Sequence, residues 1–207
     1  MDFERKRDQL VRRLETHRDL SDQTLDAIRA VPRHEFVPES KRPAAYDDAP
    51  LPIGEGQTIS APHMVAIMAE LLELTPGDEV LEIGTGCGYH AAVTAELVGP
   101  EHVYSVEYHT TLAERARETL ARTGYGEVSV RAGDGREGWP ECAPYDRSYL
   151  TCAADTIPEP VRTQVRTGGI VLAPVRNGGQ RLVKGVVESD GTLERESHGR
   201  VRFVPLK

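Results

Sequence analysis

The stretch that most restricts this 207-residue chain reads Val80-Leu81-Glu82-Ile83-Gly84-Thr85-Gly86-Cys87-Gly88. A short apolar run that breaks into glycines predicts a buried strand. Without a Cβ, glycine takes positive φ and lets a ligand approach the backbone closely. The following residues, 89–97, predict a helix. Strand, glycine turn and helix in that order open an α/β unit, and such folds bind ligands outside the carboxyl end of the strand.

The rest of the chain continues the alternation. Strands are predicted at 79–83, 103–107, 128–132, 147–151 and 170–174, with helices over 89–97, 111–122 and just after Pro158. Upstream, Phe3, Leu10, Val11 and Leu14 predict a helix over 2–17. A second helix starts after Ser21, capped by Ser21 or Asp22, and ends at Pro32. Residues 33–59 are rich in proline and glycine and predict a long functional loop, too apolar to be disordered. Ser60 reads as the N-cap of the next helix, with Pro62 in its first turn. RLVKGVVES, TLERESHG and VRFVPL read as C-terminal strands with tight turns at Asp190-Gly191 and His198-Gly199. The expected fold class is α/β: a doubly wound, mostly parallel sheet with an N-terminal helical segment and antiparallel C-terminal strands. One domain is expected over 1–207, with helices and a substrate or cofactor loop in 1–60 and a Rossmann-like core in 61–207.

Composition narrows the function classes. Hydrophobic residues make up 39% of the chain, enough for a core, and the formal net charge is -8. Beyond the short N-terminal cluster of Arg5, Lys6, Arg7, Arg12 and Arg13, no basic run suggests a nucleic-acid face. Lys6, Lys41, Lys184 and Lys207 are the only lysines; an acidic, lysine-poor chain fits solubility in high salt, and equally codon bias. Cys87, Cys142 and Cys152 lack the number and spacing of a disulfide framework or zinc site, and the scattered histidines predict no metal site. The charged N-terminus is not a signal peptide, and no apolar run approaches the roughly 18 residues of a membrane span. A cytoplasmic monomer, with no membrane or nucleic-acid partner, is expected.

Charge around the glycine turn selects among nucleotide ligands. The third glycine comes one position earlier than in the dinucleotide fingerprint, and Glu82 precedes the first by two. A carboxylate there would repel a pyrophosphate but suit the amino group or sulfonium of S-adenosylmethionine. Glu107 closes the second strand 23 positions beyond Gly84, near the roughly 20 expected of a carboxylate that binds ribose hydroxyls. Asp134, within Gly133-Asp134-Gly135, is placed to accept from the adenine amino group. Together these predict a fold of the class I S-adenosylmethionine-dependent methyltransferase type. The donor-binding set is Glu82, Ile83, Gly84, Thr85, Gly86, Gly88, Glu107, Asp134 and Gly135, to which His63 is added.

The segment Gly54 to Met64, G-E-G-Q-T-I-S-A-P-H-M, resembles the signature of protein-L-isoaspartate O-methyltransferases. VPRHEFVP (31–38), VLEIGTGCGYHAAVTAELVG, Tyr145-Asp146-Arg147, the Gly-Gly segment at 168–174 and the terminal VRFVPL are similar to the same family, so the resemblance covers the chain from Val31 onward. It implies methylation of the α-carboxylate of L-isoaspartyl residues in damaged proteins, the ester then cyclising to a succinimide whose hydrolysis returns part of the material to aspartate. It also implies that Ser60 is the active-site serine, with Thr58 beside it, and that isoaspartyl proteins and peptides are the partners. Substrate backbone could pair with a strand at 201–206. Two alternatives stay open on the residues alone: methylation of a small molecule or RNA, and a non-catalytic adaptor that binds the donor or isoaspartyl proteins. The polar run Ser148, Tyr149, Leu150 and the pair Arg176, Asn177 depart from the family pattern. Cys87 reads as a packing residue and Trp139 as a plug beneath the loop after Gly135.

Overall fold

The computed structural model describes residues 2–17 and 19–207. Helices α1 (Phe3–His17) and α2 (Asp22–Ala30) lead the chain. Ser21 is the cap of α2: its Oγ accepts from Thr24 N at 3.3 Å. Glu70, on α3 (Pro62–Leu72), takes hydrogen bonds from Ser21 Oγ at 2.9 Å and Thr24 Oγ1 at 2.7 Å, which ties the two helices together.

Residues 33–59 are more ordered than a loop. Two 3-10 turns, Arg33–Glu35 and Glu39–Ala44, are followed by a hairpin of β1 (Leu51–Gly54) and β2 (Gln57–Ile59). The turns are organised around Arg33, which is fully buried. Its Nε donates to Ala45 O at 2.9 Å, and its guanidinium lies 4.7 Å from the Tyr89 ring centroid. Periodicity does not reveal this arrangement because one long-range cation holds it rather than repeated local bonds.

Ser60 does not cap α3. Ala61 occupies that position with no side-chain cap bond. Asp48 supplies the acceptor instead, taking His63 N at 2.9 Å. Beyond α3 come β3 (Val80–Ile83), α4 (Tyr89–Val98), β4 (Val103–Glu107), α5 (Thr110–Arg122), β5 (Ser129–Ala132), β6 (Tyr145–Leu150), α6 (Glu159–Thr163), β7 (Val165–Arg176), β8 (Gln180–Val187) and β9 (Leu193–Arg200). These strands form one sheet in the order β5-β4-β3-β6-β7-β8-β9. The first five run parallel, and β8 and β9 close the edge antiparallel.

Two-residue alternation distributes the sheet's side chains between two apolar clusters. Val80, Ile170 and Leu172 face a cluster with α1 to α5, while Leu81, Ile83, Val171 and Ala173 face one that includes Val161 of α6. The sheet is therefore covered on both faces, as a doubly wound fold requires. The chain runs outward from β3 through β4 to β5 and then returns to β6 on the other side of β3, creating a topological switch point between β3 and β6.

Two C-terminal expectations are corrected. His198-Gly199 is not a turn: both lie within β9, where the β8 register shifts and Gly199 takes φ +96°. This is a bulge, which a glycine at positive φ accommodates. VRFVPL makes only an isolated parallel bridge, Pro205 to Ala153. Its backbone is claimed elsewhere, since the Gln180 side chain bonds Phe203 N and O at 2.6 and 3.1 Å, and Ala153 bonds Val204 O and Leu206 N. The turn at Asp190-Gly191 is present, with Gly191 N donating to Glu188 O.

A buried polar line crosses the central strands. Tyr149 OH and Ser105 Oγ meet the two oxygens of Glu82 at 3.0 and 2.5 Å, and Tyr149 OH also lies 2.9 Å from Thr94 Oγ1. This explains the polarity of Tyr149 in a central strand: it serves the Glu82 carboxyl. Nothing in the structure explains Ser148, whose buried Oγ has no partner among the described residues. Burial pushes the Glu82 carboxyl up to about 8, against the opposing hydrogen bonds. Between an unfolded value of about 4.3 and that folded one, the native state holds a proton that the unfolded chain has released. Stability attributable to Glu82 therefore falls as pH rises through this window. Glu82→Gln should raise stability at pH 8 and flatten the decline between pH 5 and 8, as read by urea unfolding across pH; an unchanged slope would refute the buried, proton-holding carboxyl.

Candidate functional site

The site begins where β3 ends. Gly84, Gly86 and Gly88 take φ values of +100°, +57° and +88°, and Gly88 starts α4. A Cβ at Gly84 would collide with Thr151 Oγ1. Thr151, just beyond β6, hydrogen-bonds Gly84 O at 2.5 Å, locking the two strand ends across the switch point. A crevice opens at this position, lined by Ile83, Gly84, Gly86, Val106, Glu107 and Gly135.

Glu107 is nearly buried and fixed from two sides. Its Oε2 accepts from Gly86 N at 2.8 Å and its Oε1 from His109 N at 2.9 Å. The carboxylate thus shapes the glycine loop and also lines the crevice. A Cβ at Gly135 would run into Ile83, so only glycine lets that loop lie flat at the crevice wall.

Two segments distant in sequence complete the enclosure. The β1–β2 hairpin reaches over the glycine loop, with Ile53 packed against Gly86. Thr111 Oγ1 donates to Glu55 at 3.0 Å, fastening the hairpin tip to α5. This lays Gln57 and Thr58 along the crevice. From the other side the terminal segment folds back and contributes Val204, Pro205, Leu206 and Lys207.

A second hollow, a groove, adjoins the first. It is lined by Thr58, Ser60, Ala61, His63, Met64, Thr151 and the segment Arg200 to Val204. A small cleft joins the two and contains Thr58, Ser60, Gly84, Thr85, His90 and Thr151. Thr58 and Thr151 border all three spaces, so a group seated in the crevice and a group seated in the groove would meet beside them.

The sequence-predicted residues divide between these spaces. Ile83, Gly84, Gly86, Glu107 and Gly135 line the crevice, and Thr85 lines the joining cleft, its Oγ1 2.5 Å from Ser105 Oγ. Glu82 does not reach the crevice: it is fully buried in the polar line within the sheet, because its strand position points it into the helical face. Gly88 is also withdrawn, packed beneath Leu120 as the start of α4. Asp134 caps the following turn and is held by Arg136, whose Nε and Nη2 reach its two oxygens at 2.9 and 2.8 Å. His63 lines the groove rather than the crevice, its Nδ1 2.8 Å from Asp48 Oδ1.

Other residues were not legible beforehand. Thr151 and Cys152 line the crevice because β6 lies beside β3, residues 204–207 because the terminal segment returns against Ala153, and Tyr108 and His109 because they follow directly on Glu107. A usable signal existed for Thr151, since a residue just past a strand beside the switch point is a general candidate. His90 is buried with neither ring nitrogen bonded, its ring lies tilted against Tyr149 at 4.5 Å between centroids, and burial lowers its pKa to about 3, so the ring is neutral. Burial pushes the Cys87 thiol up to about 11, which fits a packing role and not a nucleophile. Trp139 packs edge-on to Tyr104 and under Arg131.

Residues 5–207 match the family described as Protein-L-isoaspartate(D-aspartate) O-methyltransferase. Protein-L-isoaspartate O-methyltransferase 2 of Archaeoglobus fulgidus is 54% identical over 210 residues, spanning 100% of this chain and 95% of the relative. A solved protein-L-isoaspartate O-methyltransferase superposes with a TM-score of 0.87 at 33% identity, over 96% of this chain and 65% of that longer one. A Plasmodium falciparum structure proposed to be such an enzyme, in complex with S-adenosyl-L-homocysteine, has the same fold, with a TM-score of 0.84 at 22% identity over 97% of this chain and 98% of that one. The chain belongs to the protein-L-isoaspartate (D-aspartate) O-methyltransferase family.

Proposed function

We propose that this chain transfers the methyl group of S-adenosylmethionine to the α-carboxylate of L-isoaspartyl residues in damaged proteins and peptides. The observation that carries this reading is the meeting of two neighbouring hollows, the crevice at the glycine loop and the groove, at Thr58 and Thr151, with Ser60 lining the groove. The crevice, walled by the glycine loop and strand ends, suits a small donor; the roomier groove beside it suits a peptide.

The crevice residues fit the donor. Glu107 has acceptor capacity beyond its two backbone bonds, as ribose hydroxyls require, and the glycine backbone at 84–86 allows close approach. Gly135 leaves room for a flat base at the wall. Asp134 can share its carboxylate with an adenine amino group only alongside Arg136. When bound, the donor supplies an electrophilic methyl group on a sulfonium. The accepting carboxylate, with an ordinary pKa of about 3.5, is already ionised at neutral pH and needs no general base. The chain's task is alignment, which can lower a barrier by several kcal/mol. Ser60 is assigned to hydrogen-bond and orient the substrate carboxylate, with Thr58 positioned at the junction. His63, fixed by Asp48, supports the groove wall and not the donor. Backbone pairing with the 201–206 segment is limited to groups left free, because Phe203, Val204 and Leu206 are already engaged.

In this reading 1–60 and 61–207 act as one domain, which accords with a single apolar cluster running from Leu10 through Tyr89 to Leu172. A monomer without a membrane partner is proposed because, among the described residues, Tyr108 alone is a large exposed apolar side chain. No helix among them is long and apolar enough to cross a membrane. The cytoplasm is the proposed location, in keeping with three unpaired cysteines.

Labelled methyl transfer to a matched pair of peptides tests the activity: the isoaspartyl member should be methylated and its aspartyl twin should not, and equal labelling of both would refute the assignment. Ser60→Ala should lower kcat by about 5- to 30-fold, the worth of one or two kcal/mol of lost orientation, while leaving donor affinity nearly intact by calorimetry. A main loss in donor binding would instead move Ser60 into the crevice. Glu107→Ala should weaken donor binding by about 1–3 kcal/mol; unchanged affinity would remove its ribose role.

A further inference from the structure

The groove that holds Ser60 has a charge opposite to that of the protein. Arg200, the last residue of β9, and Arg202 both line it, and both are exposed. Neither side chain has an ion-pair or hydrogen-bond partner among the described residues. Other arginines of the chain, among them Arg131, Arg136, Arg166 and Arg176, are neutralised by a carboxylate. The remaining ionisable side chain lining the groove is His63, backed by Asp48, and no carboxylate lines it. With 33 acidic against 25 basic residues and a net charge of -8, the bulk of the protein would repel an acidic peptide. Two free guanidinium groups two residues apart reverse that field at the groove.

We infer that Arg200 and Arg202 select isoaspartyl sites flanked by acidic side chains. The inference rests on the methyl-transfer reading above and names the class of peptide it acts on. A carboxylate two or three residues from the isoaspartyl group would lie along the same extended segment, since each residue advances the chain by about 3.3 Å. Charges at a rim act chiefly on encounter rate and its salt dependence. Each exposed pair contributes up to about fivefold, so two acting together give a preference on the order of tenfold.

The test uses three isoaspartyl hexapeptides, identical except for Glu, Gln or Lys on both sides of the isoaspartyl residue. The full chain should show kcat/KM in the order Glu, Gln, Lys, with a Glu-to-Gln ratio on the order of tenfold. That ratio should shrink towards one at about 1 M salt, where the screening length is about 3 Å. The double variant Arg200→Gln, Arg202→Gln, checked for folding by its thermal melt and donor affinity, should bring the ratio within about twofold of unity. A wild-type ratio of one or less overturns the inference, as does a Glu preference that persists in high salt or in the double variant. The wild-type salt series decides the matter even if the variant fails to fold. Methylation of none of the three peptides, with donor binding intact, overturns the methyl-transfer reading itself and this inference with it.

Discussion

The carboxyl end of the sheet is organised around the missing side chain of Gly84. Thr151 Oγ1 occupies the space where a Cβ would stand and bonds the Gly84 carbonyl. Through that contact β3 and β6 end together, and the crevice opens between the two halves of the winding. Gly86 repeats the device one step further, leaving space for Ile53 and so for the hairpin that carries Thr58 towards the junction. Any larger residue at Gly84 would have to displace Thr151, which borders crevice, cleft and groove alike.

Two glutamates on neighbouring strands of the same sheet have opposite roles because their surroundings differ. Glu82 points into the helical face, where hydroxyl groups cannot offset the loss of water, and its carboxyl is held protonated near neutral pH. Glu107 stands at the strand end and takes two backbone N–H donors. The first stabilises the sheet's interior; the second shapes the glycine loop and faces the ligand space. Sequence spacing alone treats both as acidic neighbours of one loop.

Charge is partitioned on a larger scale as well. The acidic surplus lies over the surface, while Arg200, Arg202 and His63 line the groove. The bulge at Gly199 and the Gln180 clamp on Phe203 turn the chain at the end of β9, and this brings both arginines to the groove. The same clamp explains why VRFVPL does not form a strand despite its apolar alternation.

Local features were readable directly from the chain. The strand–glycine–helix unit at 80–98, the core strands and the cap at Ser21 follow from side-chain period and from glycine's backbone freedom, which act over a few residues. The donor-binding backbone at 83–86, Glu107 and Gly135 belong to the same class, since each lies at, or within three residues of, the carboxyl end of a strand. What tertiary structure decided depends on partners far away in sequence. Asp48 took the capping role from Ser60, leaving Ser60 to line the groove; Arg33 organised a segment without periodicity; strand direction turned Glu82 away from the ligand space. Thr151 and the terminal segment joined the site only because β6 returns beside β3. A one-dimensional pattern encodes which residues face the same way, but contacts between chain ends and strand order arise only when the sheet is assembled.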